Sequence, residues 1–303
     1  MKKIALFATA LFAFVTHVPA MAKKPNPAAV AGKAYKVKLN RKAKVGQTYK
    51  YTAQGRFVQG MVITMGGRPF RNNRNAYQVS YAATVTVLAV DKRKQAVQES
   101  HKVARLIKLV KNKQSVLLKP GTVVVAKVQG KKTQFTVNGK PASKALKSVL
   151  GNVITLKKAN EPMDDDVFGT KKPQAVGGSW PVNGAKVASS LSNKNMQIAA
   201  NNVKGTMTLK GVASVDGHKG LRVLGRINFK SVGIKLPPGF KTHKSLLKVG
   251  ISGFFPLKKA FGPLRSTKFM VMQFKAGTPK MGKRPAMGMH MNIEHHLTTT
   301  RKY

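Results

Sequence analysis

From Tyr35 to the C-terminus the chain keeps returning to one pattern: apolar residues at every second position, with lysine, threonine or asparagine between them. Tyr35, Val37 and Leu39 alternate with Lys36, Lys38 and Asn40, and Tyr77, Val79, Tyr81 and Ala83 share one face before Val85 and Val87 continue it. Successive strand residues point to opposite faces, so period two predicts half-buried β-strands. The same pattern explains where an extreme charge is carried. There are 56 Lys plus Arg against 8 Asp plus Glu, a formal net charge of +48 in 303 residues. The basic residues are not gathered in a tail. They recur from Lys36 to Lys302 among apolar neighbours, as the solvent face of strands rather than a disordered arm.

Turn residues divide this pattern into elements. Val45-Gly46-Gln47 marks a turn, Thr48 to Val58 a strand, and Gly66, Gly67 and Pro69 with residues 71–75 a polar loop. Tyr77 to Val90 reads as a long strand, closed by a turn over Asp91 to Lys94. Residues 95–110 fit a strand, although Val103, Leu106, Ile107 and Val110 also match a helical stripe. Pro120-Gly121 opens a hairpin of residues 122–128 and 133–137 around Gly130-Lys131-Lys132. One helix stands out, with Pro141 in its first turn, Ala145, Leu146, Val149 and Leu150 on one face, and Gly151 as its C-cap. Residues 157–183 are the least regular and hold the sole acidic cluster, Asp164-Asp165-Asp166. Strands follow over 205–215 and 221–229, hairpinned through Asp216 to Gly220, then over 248–255, 267–274 and 287–297. About ten strands against one short helix predict an all-β, mostly antiparallel fold. The expected architecture is a large curved sheet, half-barrel or sandwich with one short central helix near 142–150. Region 34–160 forms the N-terminal part, and 161–303 continues it as one domain.

The N-terminus has the order of a cleavable signal peptide over residues 1–22. Lys2 and Lys3 precede an apolar run from Ile4 to Val15, and Ala20-Met21-Ala22 ends it. That run is too short for a transmembrane span, which needs roughly 20 apolar residues. Residues 23–33 read as a flexible leader. The expected destination is therefore periplasmic or extracellular, as a soluble protein. Cysteine is absent, which excludes disulfides, thiolate metal sites and a lipid-bearing Cys.

The charge points to anionic partners: envelope or matrix polymers, a membrane surface, and nucleic acid only non-specifically. Lysine heavily outnumbers arginine, and the planar arginine fork is what bidentate phosphate or base contacts favour. Aromatic residues near the basic runs are too few for base-stacking platforms.

Catalytic chemistry finds little material. Glu99, Glu161, Glu294, Asp91 and Asp216 are isolated in sequence, and neither G-x-S-x-G, G-x-G-x-x-G nor a P-loop occurs. Asp164 to Asp166 lack the alternation of a calcium loop and sit beside lysines that suit them as ion-pair partners. Met287, Met289 and Met291 with His290, His295 and His296 bring copper ligation to mind. On a strand, however, the methionines, Ile293, His295 and Leu297 share one face while His290, Asn292, Glu294 and His296 take the other, so an apolar inner face is the better reading. Trp180, the sole Trp, is expected to be a packing anchor between the halves. No catalytic, cofactor-binding or metal-binding residue is assigned, and no cofactor is expected.

The order of segments resembles a family of secreted bacterial β-rich proteins of unknown function. The segments that carry it are VGQTYKY (45–51), VGGSWPV (176–182) and GTMTLKGVASVDGHKGLRVLGRI (205–227), with a signal peptide, a central helix and a C-terminal strand around them. Two departures stand out: Gly178 occupies a position where such proteins carry an acidic residue, and members are often lipoproteins whereas this chain has no Cys. The resemblance implies a curved sheet or half-barrel wrapped around a helix, as in periplasmic lipoprotein carriers, and brings no catalytic residue. Two roles are therefore expected of a non-enzymatic secreted protein: electrostatic association with anionic envelope or matrix polymers, or carriage of a lipid or other apolar ligand.

Overall fold

The computed structural model describes residues 32–130, 132–158, 161–193, 195–258, 262–279 and 285–303. The signal-peptide reading and most of the leader fall outside these residues. Fifteen strands form in chain order: β1 (Thr48–Met65), β2 (Arg68–Val90), β3 (Ala96–Val110), β4 (Lys113–Leu118), β5 (Val123–Gln129), β6 (Lys132–Val137), β7 (Lys140–Pro141), β8 (Ser179–Pro181), β9 (Met196–Gln197), β10 (Val203–Val215), β11 (His218–Phe229), β12 (Gly233–Ile234), β13 (Lys241–Pro256), β14 (Arg265–Thr278) and β15 (Met287–Lys302). Among the described residues three α-helices accompany them: α1 (Lys144–Val153), α2 (Asp164–Phe168) and α3 (Gly184–Leu191).

Thirteen of the strands make one sheet, in the order β7-β6-β5-β3-β2-β1-β15-β14-β13-β11-β10-β8 with β4 attached to β3. Every pairing is antiparallel, and the sheet is open, with β7 and β8 at its ends. The all-β, antiparallel architecture is thus as the alternation predicts. Burial follows it residue by residue: in β1, exposed Lys50, Thr52, Gln54 and Arg56 alternate with buried Tyr49, Tyr51, Ala53 and Phe57. Lys50 thus lies on the solvent face, as the alternation predicts.

Four tight hairpins give the sheet its register. Gly66-Gly67, Lys111-Asn112, Asn138-Gly139 and Asp216-Gly217 all have positive φ at both central residues. Such turns match the right-handed twist of the strands they join. Lys111-Asn112 lacks the glycine that announces a turn, which is why β4 escapes the sequence reading. The loop expected over 71–75 is instead strand, because the tight turn at Gly66-Gly67 lets β2 begin at Arg68 and pair at once with β1.

The helix expected near 142–150 lies slightly later and is not alone. Pro141 belongs to β7, paired with Thr136. The N-cap is Ser143, whose hydroxyl accepts from the Leu146 N–H at 3.3 Å. Gly151 does not cap it: the helix runs on to Val153, whose carbonyl accepts a 2.6 Å hydrogen bond from the buried Tyr51 hydroxyl. α2 and α3 form in the segments that show no period. Asn183 caps α3 by accepting from Lys186 N–H, and Met163 N–H donates to Asp166 across the first turn of α2.

The core divides into three apolar clusters on one face of the sheet. The first joins β1, β2, β3, β5 and β6 to Val149, Leu150 and Val153 of α1. The second joins β11, β13 and β14 to α2 and α3. The third surrounds Trp180, with Val37 and Leu39 from the N-terminal segment. Trp180 is buried and donates its indole N–H to the Phe168 carbonyl at 2.8 Å, the anchoring role expected of it.

The hydroxyls of the first cluster give a direct test. Tyr51→Phe leaves the Val153 carbonyl unpaired in the core and is expected to destabilise by about 1–2 kcal/mol. Tyr81 is fully buried and its hydroxyl has no hydrogen-bond partner among the described residues. Tyr81→Phe should therefore be neutral or slightly stabilising, by up to about 1 kcal/mol. Urea denaturation at constant m-value reads both.

Candidate functional site

Side chains from the inner face of β3, β2, β1, β15, β14, β13, β11 and β10 all line one cavity of about 450 Å³. Across a flat sheet β3 and β10 would lie about 34 Å apart, at roughly 4.8 Å per step, so a shared cavity requires strong curvature. Gly225 and Gly253 help to permit it. A Cβ at either would meet Met207 or Phe255 respectively, and both glycines sit on the crowded inner face. Residues 39–43, 154–157, α2 and α3 close the space from the other side. The cavity borders all three apolar clusters.

Its walls are of two kinds. Leu156, Val187, Val223, Ile227, Val249 and Ile251 make an apolar surface. Beside it stands a polar group that includes residues of β1, β3, β14 and β15: Tyr49, Glu99, His101, Lys268, Arg301 and Tyr303. Glu99 and His101 take inward positions on β3, two residues apart, where the strand otherwise buries apolar side chains. The Tyr49 hydroxyl donates to Glu99 Oε1 at 2.9 Å. His101 Nε2 is 3.4 Å from Glu99 Oε2, without hydrogen-bond geometry. Burial pushes the Glu99 carboxyl up, yet His101, the Arg301 guanidinium and the Tyr49 hydroxyl outweigh it and hold the group below the usual carboxylate range.

Arg301 lies inside this group, its guanidinium carbon 5.4 Å from the Tyr49 ring centre and 5.9 Å from that of Tyr51. Its Nε is buried and has no hydrogen-bond partner among the described residues. Burial pushes the Tyr51 hydroxyl up to about 12, against the pull of Arg301. Lys268 keeps much of its area open, but it lines the cavity. Removal from bulk water lowers its ammonium below the lysine range, Asp164 opposes that, and Lys157 and Arg301 reinforce it. Arg41 completes the cationic end, its Nη2 donating to the Pro256 carbonyl at 2.8 Å.

Of the carboxylates, histidines and methionines weighed from the sequence, Glu99, Glu161 and Asp164 line the cavity and the others lie outside it. Asp165 ties the N-terminal segment to α2, accepting from Leu39 N–H at 2.7 Å while its own N–H donates to Asn40. Asp164 pairs with Lys157 at 2.9 Å, the lysine partnership expected of that cluster. In β15, Met291 and Ile293 pack against the second apolar cluster and His295 packs edge-on to Phe57. No group of three or more His, Cys, Asp or Glu side chains that could hold a metal ion exists among the described residues. From sequence Glu99 reads only as an isolated carboxylate, and His101 and Arg301 are not singled out. The signal was there in part: polar residues on the apolar face of β3, and in β15 a face that continues past Leu297 to Thr299 and Arg301.

No family model and no curated protein sequence matches the chain. Among solved structures it is similar to lipovitellin, in a structure concerned with lipid–protein interactions, at 9% identity and a TM-score of 0.36 over 86% of this chain. The chain spans only 25% of that protein. It is also similar to Pseudomonas aeruginosa OpdQ, at 8% identity and a TM-score of 0.22 over 84% of this chain and 98% of the other. The Pseudomonas aeruginosa MucA/MucB complex matches at 11% identity and a TM-score of 0.16, over 80% and 88%. Likenesses this remote carry no functional argument. No helix among the described residues is long and apolar enough to cross a membrane.

Acid stability reads the Glu99 environment. A carboxyl held down in the fold contributes stability above its unfolded pKa, near the reference value of 4.5, and loses it as pH falls through the depressed native value. Glu99→Gln should therefore make stability less steep in pH below about 4.5. Parallel acid limbs in the two proteins would show that Glu99 is not held down.

Proposed function

We propose that the protein is a non-enzymatic carrier that holds an apolar molecule between the concave sheet and its helical cover. The observation that carries this reading is the 450 Å³ cavity and its aliphatic wall. Small-molecule sites typically occupy 300–1,000 Å³ and are lined mainly by apolar side chains. The absence of a catalytic role is supported by the use made of the carboxylates, which are committed to ion pairs, backbone N–H groups or the Asn292 amide. Glu99, the buried one, is held by Tyr49 and His101. Ile251→Trp places a bulky ring in the cavity. Uptake of a fluorescent fatty-acid probe by the delipidated protein should fall about tenfold, or about 1.4 kcal/mol, with the circular dichroism unchanged. Undiminished uptake would place the probe elsewhere.

A second role, association with an anionic surface, is supported by the β1–β2 hairpin. β2 meets β3 only from Gln78 onward, so the stretch before it is a free edge. That edge carries Arg68, Arg71 and Arg74, and no acidic residue occurs between Gln59 and Val90. Arginine and Pro69 are residues that keep an edge from pairing with another chain. Edge protection does not account for Phe70, which is 66% exposed, or for Met65 at 39%. An amphipathic tip of this kind suits an anionic bilayer surface. Serine at Arg68, Arg71 and Arg74 should reduce binding to phosphatidylglycerol vesicles far more than serine at the exposed Lys50, Lys102 and Lys113. Equal losses would make the contact one of net charge alone.

A further inference from the structure

The polar end of the cavity holds more positive charge than the protein itself neutralises. Arg41, Lys268 and Arg301 all line it, and none makes an ion pair among the described residues. The sequence has eight carboxylates; Glu99, Glu161 and Asp164 line the same cavity, but every one is bonded to a partner other than these three cations. Asp91 pairs with Arg93, Glu161 with Lys158, Asp164 with Lys157 and Asp216 with Lys302. Asp165 and Asp166 accept from backbone N–H groups, Glu294 from Asn292, and Glu99 from Tyr49. Within this cluster the buried Nε atoms of both Arg41 and Arg301 lack partners. The opposing charges nearby, Glu99 for Arg301 and Asp165 for Arg41, make no direct ion pair with them; guanidinium groups so withdrawn from water are expensive, and their fork of donors fits a carboxylate or phosphate.

We infer that this end is the head-group site of an anionic amphiphile, a carboxylate or phosphate on a hydrocarbon tail. The head sits at Arg301 and Lys268, with Arg41 closing the site. Tyr49 and Tyr51 fix the guanidinium by their ring faces. The tail runs along Ile227, Val249 and Ile251, which line the same cavity. The inference rests on the carrier reading and specifies the chemical class of its cargo.

The test is calorimetric titration of the full delipidated chain at high salt with palmitate, hexadecyl phosphate, hexadecanol and inorganic phosphate. Palmitate and hexadecyl phosphate are expected to bind about tenfold or more tightly than hexadecanol. Lys268→Met and Arg301→Met should remove that preference, bringing palmitate and hexadecyl phosphate to the affinity each variant shows for hexadecanol, and Lys50→Met should keep it. The ratio of the two anionic ligands tells carboxylate from phosphate. Equal affinity for palmitate, hexadecyl phosphate and hexadecanol in the unmodified protein, or an acid preference that survives both substitutions, overturns the head-group site and leaves the carrier intact. Binding of none of the three hydrocarbon ligands overturns the carrier itself. Inorganic phosphate binding as tightly as hexadecyl phosphate overturns the amphiphile in favour of a free anion. The comparison of head groups in the unmodified protein stands even if Arg301→Met fails to fold.

Discussion

The pairing of the first strand with the last holds the molecule together. β15 enters the sheet between β1 and β14, and its ladder with β1 runs from Lys50 opposite Lys302 to Met65 opposite Met287. Without it the N-terminal strands β1 to β7 and the C-terminal strands β8 to β14 would be two separate sheets. With it, the inner faces of both become one concave surface, and the side chains of β15 stand at its centre. Arg301 reaches the rings of Tyr49 and Tyr51 for that reason alone. The pairing closes a loop of more than two hundred residues, a contact of very high sequence separation, and such contacts form late and slowly.

Charge imposes the second constraint. With 56 basic residues and 8 acidic ones, ion pairs cannot be a general means of support. The carboxylates are spent on local geometry: Asp91 caps a turn through Arg93 and Gln95, and Asp165 fastens the N-terminal segment to α2. Apart from Lys42, Lys157 and Lys268, which line the cavity, the described lysines stay outside it, and repulsion between solvated charges is screened over about 10 Å. Only where the sheet curls inward are cations drawn away from bulk water. The same curvature that makes the cavity makes those cations costly, which links the shape of the protein to the chemistry of its occupant.

Much of the fold was legible in the residues. Period-two alternation located the long strands, and Asp216-Gly217 and Gly66-Gly67 announced their turns. The errors have physical causes. Lys111-Asn112 adopts the same backbone as the glycine turns without glycine, since asparagine tolerates positive φ, and so β4 was invisible. α2 and α3 are short and take their stability from packing against β11, β13 and β14, so no helical period marks them. Val37 and Leu39 alternate like a strand and are buried like one, but Tyr35 alone makes a bridge, to Gln174. Burial alternation needs only two surfaces, not a ladder.

The sequence by itself determined the secondary-structure class, the outward placement of the lysines and the scarcity of acid–base machinery, because each depends on local order or simple counting. The tertiary structure alone decided that Glu99, His101, Lys268 and Arg301 meet. They lie on three strands drawn from opposite ends of the chain, and nothing in their neighbours specifies the partner. Whether an inward polar residue is a flaw in a core or part of a site depends on what curvature brings to face it. Curvature is a property of the whole sheet.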